Sequence, residues 1–343
     1  MTDSEELVTL SGVPGSPYTR KMLAVLRYRR IPYKLILGSR DLKGLPHAKV
    51  SLLPTFYFPD PAGQLQAVTD STPIIRRLEG MFLNRSVRPA NPALALIDAI
   101  LEDYGDEWLT KAMFHYRWHY ADDIARASAI LPAWTQGRMP DAALKAAGTT
   151  IAGRQIPRLR YVGSNEATWE VIEASYMRYL DAMEAHLREH AFLLGARPGA
   201  GDFGVFGQLT QLALFDPTPM AITAVRAPRV LAWTGAVEDL TGVEPVDTDW
   251  FDPPALPATL TALLSEVGRV YAPLLLANAR AVQTGAEQVE TTIDGEAWVQ
   301  QPFPYQAKCL MWLRQEYAAL DAAARAQADA ALAGTGCEAL FAS

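Results

Sequence analysis

The segment Leu7-Val-Thr-Leu-Ser-Gly-Val-Pro-Gly-Ser-Pro-Tyr-Thr-Arg20 decides the fold of this chain. Its first four residues are largely apolar and predict a short strand, and the turn after them is crowded with glycine and proline. Ser16 stands directly before Pro17, a residue suited to the first position of a helix. A strand, a tight turn and a helix leave unpaired N–H groups at the helix start, where an anion is favoured. The segment therefore predicts either a site that holds an ionised thiol or an ordinary turn with a capping serine.

The rest of the N-terminal region completes a small α/β unit. Strands are predicted from Tyr33 to Leu37, from Thr55 to Phe58 and from Gln64 to Val68, each bounded by turn signals. A further helix is predicted to start at Asp70-Ser71-Thr72-Pro73, since Asp or Ser shortly before Pro commonly begins a helix. Residues 84–92, rich in Asn and Pro, indicate a linker between domains.

Length and composition limit the class of protein. At 343 residues the chain exceeds what one hydrophobic core usually serves, so two domains are expected. No run of about 18 apolar residues occurs, the first residues are acidic, and the net charge of −7 argues mildly against nucleic acid. We therefore expect a cytoplasmic protein without a membrane span. The two cysteines, Cys309 and Cys337, are too few for a disulfide framework or a cysteine-rich zinc site.

Beyond the linker, periodic apolar residues predict a mostly helical region. One helix is predicted from Leu94 past Tyr120, and a second, capped by Ser164, is the expected central helix. Residues 131–163 are interrupted by Gly and Pro, which predicts loops with one short helix near residues 141–147.

The last quarter of the chain predicts two more helices with a hairpin between them. The hairpin is indicated by the Asp294-Gly295 pair between two β-prone runs. The final helix carries Cys309 on its apolar stripe, so this thiol is interpreted as an inert core residue. Each helix has one apolar face, and we expect the whole segment to pack on the helical region.

One face of the long helix brings together residue types that can bind metals. His115, His119 and Asp122 or Asp123 are spaced at i, i+4 and i+7 or i+8. This spacing is weak evidence without a further ligand elsewhere, so we predict no metal site.

Three motifs in the N-terminal region resemble those of one enzyme family. Ser16-Pro17-Tyr18-Thr19-Arg20-Lys21 resembles the Ser-Pro-Phe or Cys-Pro-Phe signature that opens the first helix of tau-like and omega-like glutathione transferases. Leu53-Pro54 resembles their Val-Pro step, and Asp70-Ser71 their pair of an acidic residue and a serine. No cysteine occurs in this region, so the omega-type thiol is absent.

The resemblance implies a fold and its domain boundaries. It implies an α/β thioredoxin-like N-terminal domain (residues 1–85) and an all-α glutathione-transferase-type C-terminal domain (residues 92–250). In the second domain, Gly199 and Asp202 resemble the family's buried capping box, with glycine in place of Ser or Thr. Residues 251–343 lie outside the resemblance and form an added helical and hairpin extension.

The resemblance also implies a binding site for glutathione. Ser16 would hold the thiolate, Leu53 and Pro54 would offer the peptide backbone beside a cis bond, and Asp70 with Ser71 would bind the γ-glutamyl end. Cations of loop 39–50 would meet the glycine carboxylate. A pocket for a hydrophobic second substrate would be lined by Tyr18, Tyr104, Trp108, His115 and Arg117, with core packing as the alternative for these side chains.

The implied function is conjugation of glutathione to a small hydrophobic electrophile by thiolate attack. A non-catalytic glutathione-binding or protein-interaction module of the same fold is the alternative, because fold and binding motifs do not establish chemistry. A glutathione-dependent reductase is a further alternative, although this chain has no cysteine in its N-terminal region. We also expect a homodimer, since relatives pair along the edge between their two domains.

Overall fold

A four-stranded sheet forms the centre of the N-terminal domain in the computed structural model, which describes residues 7–37 and 42–342. The strands are β1 (Val8–Ser11), β2 (Tyr33–Ile36), β3 (Thr55–Pro59) and β4 (Leu65–Val68). They lie in the order β2-β1-β3-β4, with β1 parallel to β2 and the other pairs antiparallel. The predicted α/β unit is therefore confirmed.

Two helices flank this sheet, α1 (Pro17–Tyr28) and α2 (Ser71–Met81). The apolar stripe of α1, which includes Met22, Val25 and Leu26, is fully buried in the core with the strands. The short parallel β1-α1-β2 unit thus places the start of α1 at one end of the sheet. Arg40 and Asp41, two of the charged residues of loop 39–50, lie outside the described residues.

The helical domain begins with the predicted long helix, which is continuous from Pro92 to His119 and stops short of its predicted end beyond Tyr120, where the backbone is extended. It consists of α3 (Pro92–Tyr104), a π-helical turn (Gly105–Leu109) and α4 (Thr110–His119). At the π-helical turn, a Cβ on Gly105 would lie 2.7 Å from the backbone nitrogen of Val205. Only glycine therefore permits the close approach of the neighbouring helix at this point.

Residues 131–163 differ from the sequence prediction, because they are mostly helical. The remaining helices of this domain are α5 (Ala121–Gln136), α6 (Asp141–Gln155), α7 (Trp169–His186), α8 (Ala200–Leu212), α9 (Pro217–Arg226) and α10 (Pro228–Val237). A Cβ on Gly148 of α6 would lie 2.1 Å from the carbonyl oxygen of Ser128 in α5. This glycine marks a close helix–helix contact, so the prediction of a helix break there was wrong.

Ser164 does not cap the central helix, and that prediction was wrong as well. Helix α7 begins at Trp169 with Thr168 at its N-cap position, four residues later than expected. The hydroxyl of Ser164 instead lies 2.8 Å from Nδ1 of His115, in a buried hydrogen bond. Ser164 thus bonds to a residue that is distant in sequence, and not to the start of α7 as the local pattern predicts.

The capping box at the start of α8 is present, and a second helix completes it. Oδ2 of Asp202 accepts from the N–H of Gly199 at 2.9 Å, and Oδ1 accepts from the N–H of Leu193. The carboxylate of Asp98 on α3 accepts from the N–H groups of Ala200 and Gly201. A Cβ on Gly199 would lie 2.4 Å from Asp98 Oδ1, so the capping oxygen comes from Asp98 rather than from a Ser or Thr.

The C-terminal extension contains the predicted hairpin and more helix than predicted. Its elements are α11 (Ala258–Glu266), a π-helical turn (Val267–Tyr271), α12 (Ala272–Thr284), β5 (Val289–Ile293), β6 (Glu296–Gln300), α13 (Pro304–Ala318) and α14 (Ala322–Leu332). Asp294 and Gly295 both have positive φ, as a two-residue hairpin turn requires.

The continuous helix from Ala258 to Thr284 is long and apolar enough to cross a membrane by length and composition alone. Its apolar side chains are buried within the protein, however, including Leu260, Leu264 and Leu274. The core helix of a protein can have the same length and composition as a membrane span. The burial of these side chains inside the protein accounts for the apolar composition of this helix.

The extension contacts both other domains. The ring of Trp298 on β6 packs against Trp108 of the helical domain with centroids 5.3 Å apart. Glu316 on α13 pairs with Arg76 of α2 and, at 3.0 Å, with Arg88 of the linker. The extension therefore lies along the edge where the N-terminal and helical domains meet.

Candidate functional site

Ser16 is the N-cap residue of α1, and its hydroxyl is partly exposed. Oγ accepts a hydrogen bond from the N–H of Thr19 at 3.2 Å, which fixes the position of this oxygen. The hydroxyl hydrogen is directed to the carbonyl oxygen of Leu53 over a long distance of 3.3 Å. A weak, exposed bond of this kind can be exchanged for a bond to a ligand at low cost.

The Leu53–Pro54 peptide bond is cis, as the resemblance implies. Leu53 is 43% exposed, and no partner for its backbone N–H is found within the described residues. Ser16 and Leu53 therefore lie next to each other at the surface, one carrying a hydroxyl and the other an amide without a partner in the described part of the chain. A peptide lying beside them could extend the main-chain pairing of the sheet.

The turn before Ser16 is held by the helical domain. Arg117 donates from one guanidinium nitrogen to the carbonyl oxygen of Gly15 at 3.1 Å, and from two others to the carboxylate of Asp216. Gln211 donates to the carbonyl oxygen of Pro14 at 3.2 Å. Burial raises the pKa of Asp216 to about 6, although the charge of Arg117 acts against this shift. Arg117 thus holds the turn before Ser16 in position from the side of the helical domain.

The other side of this turn faces apolar side chains that the sequence did not single out. A Cβ on Gly15 would lie 2.4 Å from Leu131 and 2.6 Å from Trp134, both on α5. Both side chains are only partly buried, and they contact the smaller apolar cluster around Trp118 and Phe215. The sequence analysis did not single out Leu131 and Trp134, because it predicts loops from residue 131 onward.

Tyr18 points away from Ser16, into the contact between the two domains. Its hydroxyl donates to the carbonyl oxygen of Asp106 at 2.8 Å and lies 3.4 Å from the hydroxyl of Thr110. Burial raises the pKa of Tyr18 well above its ordinary value, and the charges of Glu107 and Asp106 add to this shift. In this structure the Tyr18 hydroxyl anchors α1 to the helical domain.

Asp70 occupies the N-cap position of α2 with a φ of 86°, which is uncommon for a residue other than glycine. Its side chain makes no capping hydrogen bond. Instead Oδ1 accepts from the hydroxyl of Tyr305 on α13 at 2.9 Å. Burial raises the pKa of Asp70, whereas the Tyr305 hydroxyl and the charges of Lys21 and Lys308 act in the opposite direction.

Ser71 is bound to a buried ionic network rather than open to solvent. Its Oγ accepts from Nζ of Lys21 at 3.1 Å and lies 3.4 Å from Asp106. Lys21 is completely buried and also donates to Glu102 at 2.7 Å and to Asp106 at 2.5 Å. Burial alone would lower the pKa of Lys21, but the charges and hydrogen bonds of the two carboxylates outweigh this effect and raise the pKa.

The remaining pocket candidates lie in the core of the helical domain. Tyr104 packs between Tyr179 and Tyr271. The indole of Trp108 donates to Ser175 at 3.0 Å, and His115 lies between Ser164 and Glu173, 3.0 Å from the carboxylate of the latter. All three side chains are buried, and these positions match the alternative of core packing. Among the candidates, Arg117 alone contacts the turn before Ser16.

The spacing of His115, His119 and Asp122 or Asp123 does not build a metal centre. His119 stacks on His115 at 4.8 Å, and Asp123 accepts from the backbone N–H of Thr218. Across residues 7–37 and 42–342, no group of three or more His, Cys, Asp or Glu side chains is placed to hold a metal ion.

Two family models match this chain. The family described as "Glutathione S-transferase, N-terminal domain" matches residues 10–85, and that described as "Glutathione S-transferase, C-terminal domain" matches residues 142–236. These matches cover the sheet with its two helices and part of the helical domain. No curated protein matches the sequence.

Several solved structures resemble the chain at low sequence identity. A glutathione S-transferase from Methylobacterium radiotolerans, in complex with glutathione sulfonate, is 18% identical and has a TM-score of 0.41, with 70% of this chain and 97% of that chain covered. The beta-etherase LigF from Sphingobium sp. strain SYK-6 is 17% identical with a TM-score of 0.46, covering 67% and 94%. A glutathione transferase from Pseudomonas putida, with glutathione disulfide bound, is 13% identical with a TM-score of 0.37, covering 69% and 87%.

Proposed function

Because the chain belongs to the glutathione S-transferase superfamily, we propose that it binds glutathione and conjugates it to a small hydrophobic electrophile. The observation that carries this proposal is the position of Ser16. Its partly exposed hydroxyl caps α1 and donates a long hydrogen bond to the carbonyl oxygen of Leu53, beside the cis peptide bond.

The residues of the site fit the parts of glutathione. The γ-glutamyl end is a zwitterion, for which Asp70 offers an anion and the start of α2 offers N–H donors. The peptide amides can pair with the backbone of Leu53 beside its cis bond. The sulfur then lies toward Ser16. We call the Ser16 side, formed by residues 13–16 and Leu53, the thiol end, and the side formed by Asp70 and Ser71 the γ-glutamyl end.

The chemistry that the protein must supply is ionisation of the thiol. A free thiol with a pKa of about 8.5 is only a few per cent ionised at pH 7. A helix N-terminus contributes roughly 0.3–1 kcal/mol, up to about 2 kcal/mol when partly buried. A hydroxyl donated to a charged sulfur adds roughly 1.5–3 kcal/mol. Together they account for a pKa lowered by about one to three units, since each unit requires about 1.4 kcal/mol.

Ser16 can make this donation because Thr19 already satisfies its oxygen as an acceptor. The single hydroxyl hydrogen would leave the carbonyl oxygen of Leu53 and turn to the sulfur. The start of α1 has no acidic residue that would oppose a negative charge. The apolar electrophile would approach from the α5 side of the turn, where Leu131 and Trp134 contact Gly15.

The decisive experiment is Ser16→Ala with glutathione binding, thiol pKa and conjugation rate all measured. We expect nearly unchanged affinity, a bound-thiol pKa higher by about one unit, and a rate about tenfold lower near neutral pH. Tyr18→Phe is the matched control, because its hydroxyl is directed to Asp106. An effect in Tyr18→Phe alone would move the role to the tyrosine. No change in either variant would favour the non-catalytic alternative, and no binding of glutathione at millimolar concentration would end the proposal.

We also propose a homodimer. In this chain the edge between the two domains is lined by α13, through the pairs that Glu316 makes with Arg76 and Arg88. A pairing surface at that edge would therefore include the extension. Light scattering at micromolar concentration tests this, and a mass of 37.6 kDa alone would refute it.

A further inference from the structure

The γ-glutamyl end receives a side chain from the C-terminal extension, a part of the chain outside both matched families. Tyr305 lies in the first turn of α13, and its hydroxyl donates to Oδ1 of Asp70 at 2.9 Å. These residues are 235 positions apart in sequence. The contact therefore depends on how the extension docks across the two domains.

The docking of α13 is held from several directions. Just before the helix, Asn278 exchanges hydrogen bonds with the backbone of Phe303, at 2.9 Å and 2.7 Å. Gln306 donates to Glu107 of the π-helical turn at 3.1 Å. Farther along, Glu316 pairs with Arg76 and Arg88. With both ends of the helix fixed, Tyr305 has a defined position above Asp70.

The hydrogen bond from Tyr305 provides a partner for only one of the two oxygens of the Asp70 carboxylate. Oδ1 is bound to Tyr305, while no partner for Oδ2 is found within the described residues. A carboxylate with one oxygen held by a neutral donor keeps its charge and its second oxygen for a cation. The hydroxyl of Tyr305 thus orients Asp70 without neutralising it.

One turn farther along α13, Lys308 adds a positive charge to the same corner. Its side chain is exposed, and its ammonium lies 4.3 Å from the ring centre of Trp312, which packs edge-on against Tyr305. The positive charge of Lys308 also opposes the rise that burial causes in the pKa of Asp70. The corner therefore offers an anion and a cation from two different domains.

We propose that Tyr305 and Lys308 complete the γ-glutamyl end of the site, with the extension contributing directly to ligand recognition. Asp70 would bind the ammonium group of the γ-glutamyl residue, Lys308 its carboxylate, and Tyr305 would position Asp70. This inference rests on the proposed binding of glutathione. It makes the extension a specificity element for ligands with a free amino-acid end.

The test is glutathione binding by calorimetry to the full-length protein and its variants. Tyr305→Phe should weaken affinity about three- to tenfold, the range for one hydrogen bond, and Lys308→Met by a similar factor. The matched control is Tyr317→Phe on the same helix, which removes a hydrogen bond to Asp329 far from the corner. Affinity in this control should be unchanged.

A double-mutant cycle separates positioning from a general loss of structure. In an Asp70→Asn background, Tyr305→Phe should have little further effect on affinity, because Tyr305 acts through Asp70. Equal loss in both backgrounds, unchanged affinity in Tyr305→Phe and Lys308→Met, or tighter binding in Tyr305→Phe would each overturn the inference. Those results leave the proposed function intact, whereas failure of the wild-type protein to bind glutathione removes both.

Discussion

The thiol end and the γ-glutamyl end are built in opposite ways, although both stand at the start of a helix. At the thiol end, Ser16 is partly exposed and weakly bound, and the strong contacts lie behind it, on Gly15 and Pro14. At the γ-glutamyl end the motif residues carry the strong contacts themselves, Ser71 with Lys21 and Asp70 with Tyr305. The first arrangement leaves a hydroxyl free for the proposed donation to sulfur, and the second fixes the corner at which we propose that the γ-glutamyl end binds.

The largest effect on stability is expected at Lys21, which binds Ser71 of the γ-glutamyl end and the buried carboxylates. Lys21→Met removes the cation that pairs with Glu102 and Asp106, and should lower the free energy of unfolding by about 3–5 kcal/mol. The loss should be smaller at pH 5 than at pH 8, because the unpaired carboxyls can then take up protons. Urea unfolding at both pH values measures it. Arg20→Met, which breaks a partly exposed pair with Glu238, is the control and should cost about 0.2–1 kcal/mol.

The second effect concerns the pH dependence of Asp103, a carboxyl next to Glu102 in sequence that is bound by Tyr271 rather than by Lys21. Burial raises the pKa of Asp103 to about 7, although Tyr271 donates to its carboxylate. The folded protein therefore binds this proton more tightly than the unfolded chain, where the pKa is about 3.9. The stabilisation is complete below about pH 4 and is lost as the pH rises toward 7, by up to about 1.4 kcal/mol per pH unit.

Asp103→Asn should therefore flatten the decline in the free energy of unfolding between about pH 4 and pH 7. Urea unfolding across this range, on wild type and variant, measures the difference. Glu290→Gln, at an exposed position of β5, provides the control and should leave the slope as it is. Parallel profiles for wild type and Asp103→Asn would contradict the assignment.

The third effect concerns Arg117, which holds the turn before Ser16 from the side of the helical domain. Arg117→Lys keeps the charge beside Asp216, but a single ammonium cannot also reach Gly15 and Gln211. We expect a loss of about 1–3 kcal/mol in the free energy of unfolding, together with slower conjugation, because the turn before Ser16 loosens. Arg226→Lys is matched, since Arg226 forms a two-pronged pair with Asp181 at an exposed site. Its cost should remain below about 1 kcal/mol.

The smallest effect distinguishes anchoring from chemistry at Tyr18. Tyr18→Phe leaves the carbonyl oxygen of Asp106 without its donor and should cost about 0.5–1.5 kcal/mol of stability. The pKa of bound thiol should stay as in the wild type. A raised thiol pKa in this variant would show that the hydroxyl also reaches the thiol end.

The local motifs were the part of this protein that could be predicted from sequence. The four strands, the long helix from Pro92 and the Asp294-Gly295 hairpin follow from turn residues and apolar periodicity, which act over a few positions. Helix α14 was missed because its alanine-rich sequence has only a weak apolar stripe. Gly148 was misinterpreted because a glycine that breaks a helix and a glycine that admits a neighbouring helix look alike in sequence.

The positions of Ser16 and Asp70-Ser71 at helix starts are local features that the sequence marks, and the resemblance to the family implied the cis Leu53–Pro54 bond that the structure contains. The contacts of these residues follow from the tertiary structure. It directs Tyr18 into a domain contact, places Trp108 in a core and brings Tyr305 to Asp70 across 235 positions. Burial and long-range contacts depend on how whole elements pack, and the spacing of residues along the chain carries no record of that packing.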